Sequence, residues 1–243
     1  MRAFTYYKTV IESHPWLPYV APFAAFLILT TLEGQVFPAP TAEKGALAIA
    51  AYRHAYPFVY LVKILLVSLV AILCGGSWND LKPVPGVVSL AAAVVLGVVV
   101  AALWVGLDAL YPRFGFLGQR TAFDPTALPQ GVRLTYLATR FFGLVLVVPL
   151  IEELFWRSFL MRWLIDPDFK KVPIGKVTWM AAGVTSVLFA LEHPEWLPAL
   201  ITGLAWAGLL AWSRSVSACW ISHLVANAAL GAYVVTTHRW EFL

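Results

Sequence analysis

The chain has 243 residues, 60% of them apolar and only 12% charged, with a formal charge of +4. Such a composition excludes an ordinary soluble domain, and two cysteines in or beside apolar runs, Cys74 and Cys219, exclude a disulfide framework and a four-cysteine zinc motif. The small basic surplus forms no Lys/Arg stripe interleaved with stacking aromatics, so it argues against nucleic acid as a partner and for anionic lipid headgroups.

A membrane-spanning helix needs about 20 mostly apolar residues. Segments that qualify or nearly do run over 17–37, 56–74, 86–111, 141–165, 174–193, 197–212 and 216–235. The fold class is therefore all-α: a polytopic transmembrane bundle of about seven spans, with room for an eighth. The eleven Trp, many near span ends, fit an aromatic belt at the headgroup level. Lys and Arg divide evenly between the two sides, so orientation stays open.

In the first three spans the buried-charge oddities are Glu33 and Lys63, expected to pair or, for Lys63, to snorkel. The longest break follows, over 112–140, with Gly, Pro and charged residues; its part over 115–133 has room for an interfacial helix, which Pro125 and Pro129 keep short. This break divides the chain into 1–139, leading helices that serve as scaffold or substrate cradle, and 140–243, which holds every strong polar motif.

The fourth span carries Glu152 and Glu153 side by side. Ionisable groups at the bilayer centre cost at least about 2.5–3.5 kcal/mol each, so adjacent carboxylates there demand a protein-lined or watered pocket. At about 100° per residue, Glu153 and Arg157 share a helix face while Glu152 points away from them. Glu153 can thus be neutralised by Arg157, leaving Glu152 for chemistry. Pro149 either kinks this span or starts its second half, where a helix N-terminus would favour the carboxylates. Taken alone, the motif suits a buried ion-pair staple equally well.

The fifth span ends with Phe189 and His193, four apart, followed by Pro194, which places His193 at a helix end. A neutral imidazole near a carboxylate can take a proton from water. Alone, an interfacial histidine beside Glu192 and Glu195 is the simpler reading. The seventh span carries His223 and Asn227, again four apart, both able to donate hydrogen bonds toward one point as an oxyanion requires. Alone, they are interhelical glue. Together the three pairs supply a carboxylate base, a histidine and donors, the parts for water-mediated acyl hydrolysis. Neither a G-x-S-x-G elbow nor an H-E-x-x-H helix is present.

The E-E-x-x-x-R run at Glu152, Glu153 and Arg157, the F-x-x-x-H at Phe189 and His193, and the H-x-x-x-N at His223 and Asn227 resemble the CAAX prenyl protease and bacteriocin-processing superfamily over about residues 140–236. The resemblance implies a bundle enclosing a polar intramembrane cavity, with Glu152 and His193 activating water and His223 and Asn227 forming an oxyanion hole. Glu153, Arg157 and Phe189 would support them, without cofactor or metal. It implies a membrane-associated or prenylated peptide substrate and, through its bacterial relatives, an inner-membrane location. Two alternatives remain at this point: a zinc-dependent intramembrane protease recruiting His193, His223 and a Glu, and a non-catalytic immunity, transport or scaffold protein.

Overall fold

The computed structural model describes residues 11–40, 45–118, 120 and 122–242. Among them the regular structure is helical. Seven helices follow in order: α1 Leu17–Val36, α2 Gly45–Leu73, α3 Val87–Gly106, α4 Gln130–Trp163, α5 Trp179–Leu191, α6 Trp196–Ser213 and α7 Val216–Thr237. All but α5 are long and apolar enough to cross a membrane. The expected fifth span, 174–193, shrinks to the 13 residues of α5 because Thr178 caps its N-terminus by accepting from the Ala181 amide, and the chain before it is a loop.

The protein is an integral membrane protein, and its outer faces show why. Leu65, Leu69 and Ile72 on α2 and Val95, Val98 and Val99 on α3 are exposed. Lipid, unlike water, imposes no penalty on such a surface. With no hydrophobic drive between helices in lipid, packing rests on close approach at small residues. A Cβ on Gly97 of α3 would stand 2.4 Å from the Ser222 carbonyl oxygen of α7. One on Gly203 of α6 would stand 2.9 Å from Ser186 Cα of α5. Gly143 of α4 lies against Tyr60 and Ile64 of α2, and Gly231 of α7 against the Phe141 ring of α4. Gly97→Val should therefore overpack the α3–α7 seam and cost about 1–3 kcal/mol. A lowered melting temperature in detergent measures this, with Gly106→Val on the same helix as control, since nothing lies within 4 Å of a Cβ there.

The central core takes Phe23 from α1, Val100 from α3, Trp156 from α4, Phe189 from α5, Trp206 from α6 and Cys219 from α7. Cys74 and Cys219 are both buried free thiols, as their apolar surroundings predict. Glu33 and Lys63 form an ion pair joining α1 to α2, so Lys63 does not snorkel.

Helix α4 departs most from its expected form. It starts at Gln130, straight after Pro129, and reaches the apolar stretch without a break. At 1.5 Å per residue its 34 residues extend about 50 Å, well beyond a hydrocarbon core of about 30 Å. Pro125 and Pro129 only fix where the helix begins. The expectation that Pro149 starts a fresh helix also fails: it sits inside α4, just after a π-helical segment over Phe142–Val147, and a second π segment covers Leu154–Leu160. The carboxylates therefore lie in mid-helix, where the macrodipole contributes little.

Both flanks of the carboxylate pair are anchored. In the wider i→i+5 register the Leu144 carbonyl would receive the amide of residue 149, and a proline has none. Asn227 Nδ2 donates to that carbonyl at 2.8 Å instead. At the end of the second π segment, Asp80 Oδ2 accepts from Ser158 Oγ at 2.6 Å, from Tyr19 Oη at 2.9 Å and from Arg162 just past it. Asp80 lies in the short 3₁₀ helix Gly75–Leu81, so this cluster ties the α2–α3 connection to α4.

The long connection from α3 to α4 is strapped across the α5–α6 corner. Trp196 Nε1 donates to the Pro112 carbonyl at 2.9 Å. Arg120 pairs with Glu195 and, at 2.8 Å, with Asp108, while its guanidinium lies over the Phe242 ring.

Candidate active site

A cavity of about 360 Å³ opens inside the bundle. Glu152 of α4, His193 after α5, and His223 and Asn227 of α7 all line it. Of the supporting residues, Phe189 lines it too, whereas Glu153 and Arg157 lie behind the wall, 0% and 2% exposed.

Each carboxylate has the surroundings that helical phase dictates. Glu153 is paired on both sides: Oε1 accepts from His223 Nδ1 at 2.9 Å, and Oε2 forms an ion pair with Arg157 Nε at 3.2 Å without hydrogen-bond geometry. Glu152 is 6% exposed, and its Oε2 has no hydrogen-bond partner. The nearest cationic candidate, His223 Nε2, stands 3.9 Å from that oxygen, too far for a hydrogen bond. A buried carboxylate oxygen without a donor, facing a cavity, is an acceptor left for water or substrate.

The two imidazoles are held differently. His193 Nδ1 donates to the Phe189 carbonyl at 2.8 Å, closing the α5 terminus that Pro194 forces. With that proton placed, the neutral ring keeps its lone pair on Nε2. The His193 ring also meets Phe189 at 4.7 Å and Trp104 of α3 at 5.6 Å between centroids. His223 Nδ1 is bound by a carboxylate instead of a carbonyl, so Glu153 can compensate the charge when the ring carries both protons.

Trp206 of α6 is the main residue that sequence reasoning missed. It is 1% exposed and donates from Nε1 to Ser222 Oγ at 3.0 Å. Its ring lies 4.3 Å from His223 and 5.1 Å from the Arg157 guanidinium, which also faces Phe189 at 5.0 Å. Trp156, Trp206 and Trp240 are buried and fill the interior, whereas Trp16, Trp163, Trp179 and Trp212 are exposed, so the belt reading does not extend to all eleven. The available signal was position: Trp206 stands mid-helix in α6, between Gly203 and Gly208, away from either span end. Glu195, noticed only as a neighbour of His193, is buried, lines the cavity and is committed to Arg120.

Among the described residues no three His, Cys, Asp or Glu side chains are grouped to hold a metal ion. The Nδ1 atoms of His193 and His223 are both engaged. That engagement leaves Nε2 as the open nitrogen of each ring, an arrangement that a water-activating and a metal-ligating histidine share.

The fold and the cavity together define a multi-pass membrane protein with acidic and histidine side chains gathered at a cavity between its helices. Residues 134–229, less than half of the chain, match the family described as type II CAAX prenyl endopeptidase Rce1-like, in agreement with the resemblance carried by the three motifs. The matched stretch contains Glu152, Glu153, Arg157, Phe189, His193, His223 and Asn227, and it supports a CAAX-protease-type intramembrane endopeptidase in general terms. No curated protein and no solved structure gave a significant match.

Proposed function

We propose that the protein is an intramembrane endopeptidase that hydrolyses a peptide bond of a membrane-associated or lipidated protein with glutamate-activated water. The observation that carries this reading is the meeting of Glu152, His193, His223 and Asn227 at one cavity, with one Glu152 oxygen free of partners. Glu152, assisted by the Nε2 lone pair of His193, takes a proton from water. His223 and Asn227 face the developing oxyanion. Asn227 spends one amide hydrogen on the Leu144 carbonyl and keeps the second. Glu153, Arg157 and Phe189 hold His223 and the helix faces in place. The leading helices act as substrate cradle, since Phe26, Leu27, Thr30 and Trp104 also line the cavity. The setting is a bacterial inner membrane.

The test is cleavage of a membrane-anchored fluorogenic peptide by the purified, lipid-reconstituted protein. Turnover should persist in a strong chelator, and the preparation should hold no stoichiometric zinc. Activity lost on chelation and restored by zinc would replace this reading with a metalloprotease. Asn227→Ala should lower turnover by about 10²–10³-fold, the scale of one oxyanion donor. An unchanged rate would remove Asn227 from the site.

A further inference from the structure

Glu192 belongs to none of the three spaced pairs. It caps the C-terminus of α5, immediately before His193, and lines the same cavity as Glu152. The other acidic residues near the site are committed, Glu153 to Arg157 and His223, and Glu195 to Arg120. Glu192 has no such close ion pair among the described residues; Arg157 and the Trp156 indole are the groups that act on its carboxyl.

Glu152 and Glu192 line one apolar-walled cavity, where two neighbouring carboxyl groups resist ionising together. One keeps a proton, and the pair titrates as a unit. Peptide hydrolysis can use that asymmetry. One group must accept the proton of water, and a proton must reach the leaving nitrogen, which cannot depart as an amide anion; a second carboxyl that already holds a proton can supply it without waiting for the first transfer. Glu152 and His193 account for the acceptor, and the hydrolase reading above leaves the donor unassigned.

We propose that Glu192 is a further catalytic residue, the general acid that protonates the leaving amine; the assignment rests on the hydrolase reading. As the water oxygen bonds to the carbonyl carbon, one water proton passes to Glu152. The carbon–nitrogen bond then breaks with its electron pair going to nitrogen, which takes the proton held by Glu192. The products are a carboxylic acid and an amine. Glu152 now carries the proton and Glu192 the charge, and one transfer between them, directly or through water, restores the pair. Glu192 falls inside the F-x-x-x-H run without being one of its two defining positions, so the motif alone does not mark it.

The discriminating measurement compares two matched membrane-anchored substrates, one with a peptide bond and one with a p-nitrophenyl ester at the scissile position. A nitrophenolate leaves without being protonated. Glu192→Gln should lower kcat on the peptide by about 10²-fold or more and leave ester hydrolysis within about twofold, whereas Glu152→Gln should lower both. If Glu192→Gln folds poorly, Glu192→Ala serves, with peptide cleavage expected to recover on adding a small carboxylic acid such as acetic acid. Equal losses on both substrates, an unchanged peptide rate, or no recovery in the alanine variant would overturn the acid role alone. A wild-type protein that cleaves neither substrate would overturn the hydrolase reading and the acid role with it.

Discussion

Glu152→Gln should remove peptide cleavage, lowering kcat by about 10²–10⁴-fold, while the protein melts at or slightly above the wild-type temperature. The two effects separate because of what surrounds this side chain. As a base it has no substitute in the same position. As a structural group it contributes little, since its Oε2 is buried without any hydrogen-bond partner. Replacing a buried carboxylate by a neutral amide of similar shape relieves desolvation and gives up no hydrogen bond of Oε2, only the 3.9 Å approach of His223 Nε2. Initial rates and detergent melting curves on the same preparation measure both. A melting temperature that falls with the rate would show that Glu152 is a staple.

Arg157→Ala should behave in the opposite way, costing about 3–5 kcal/mol of stability, because it strands Glu153 at 0% exposure with His223 as its one remaining polar partner. The loss extends to packing, since the guanidinium lies against Phe189 and Trp206. Pairing the change with Glu153→Gln should recover part of the stability, as the stranded charge is then gone, while cleavage stays low because His223 loses its carboxylate. A double variant no more stable than Arg157→Ala would show that packing under Trp206, not charge, dominates the cost.

The parts of this protein that the sequence made legible are those governed by helix geometry alone. Four-residue spacing put Glu153 with Arg157, Phe189 with His193 and His223 with Asn227, and Pro194 marked the end of α5 beside His193. Apolar length located most of the spans. What stayed hidden depends on contacts between distant segments. Nothing near Asp80 announces that Tyr19, Ser158 and Arg162 will converge on it, and nothing near Arg120 announces Glu195. Trp206 was one aromatic among eleven until α7 brought His223 onto its face. The π segments were also silent: Pro149 marks a disturbed ladder, but nothing in the sequence says that Asn227 will satisfy the Leu144 carbonyl.

Those two segments bear on how this helix can be compared with others. A wider turn takes up about one additional residue relative to regular α-helix, so residues before Phe142 and after Leu160 are rotated from where uniform counting places them. Counting by regular turns is secure only across the short run from Val148 to Glu153. A homologous helix one residue shorter within 142–147 or 154–160 can close that turn to ordinary α geometry and keep its carboxylates, its Asn partner and its Arg162 equivalent all correctly aimed. The same deletion within 148–153 would swing Glu152 by about 100°, out of the cavity. Length variation in relatives of this chain should therefore fall in the two wide turns and spare the stretch between them.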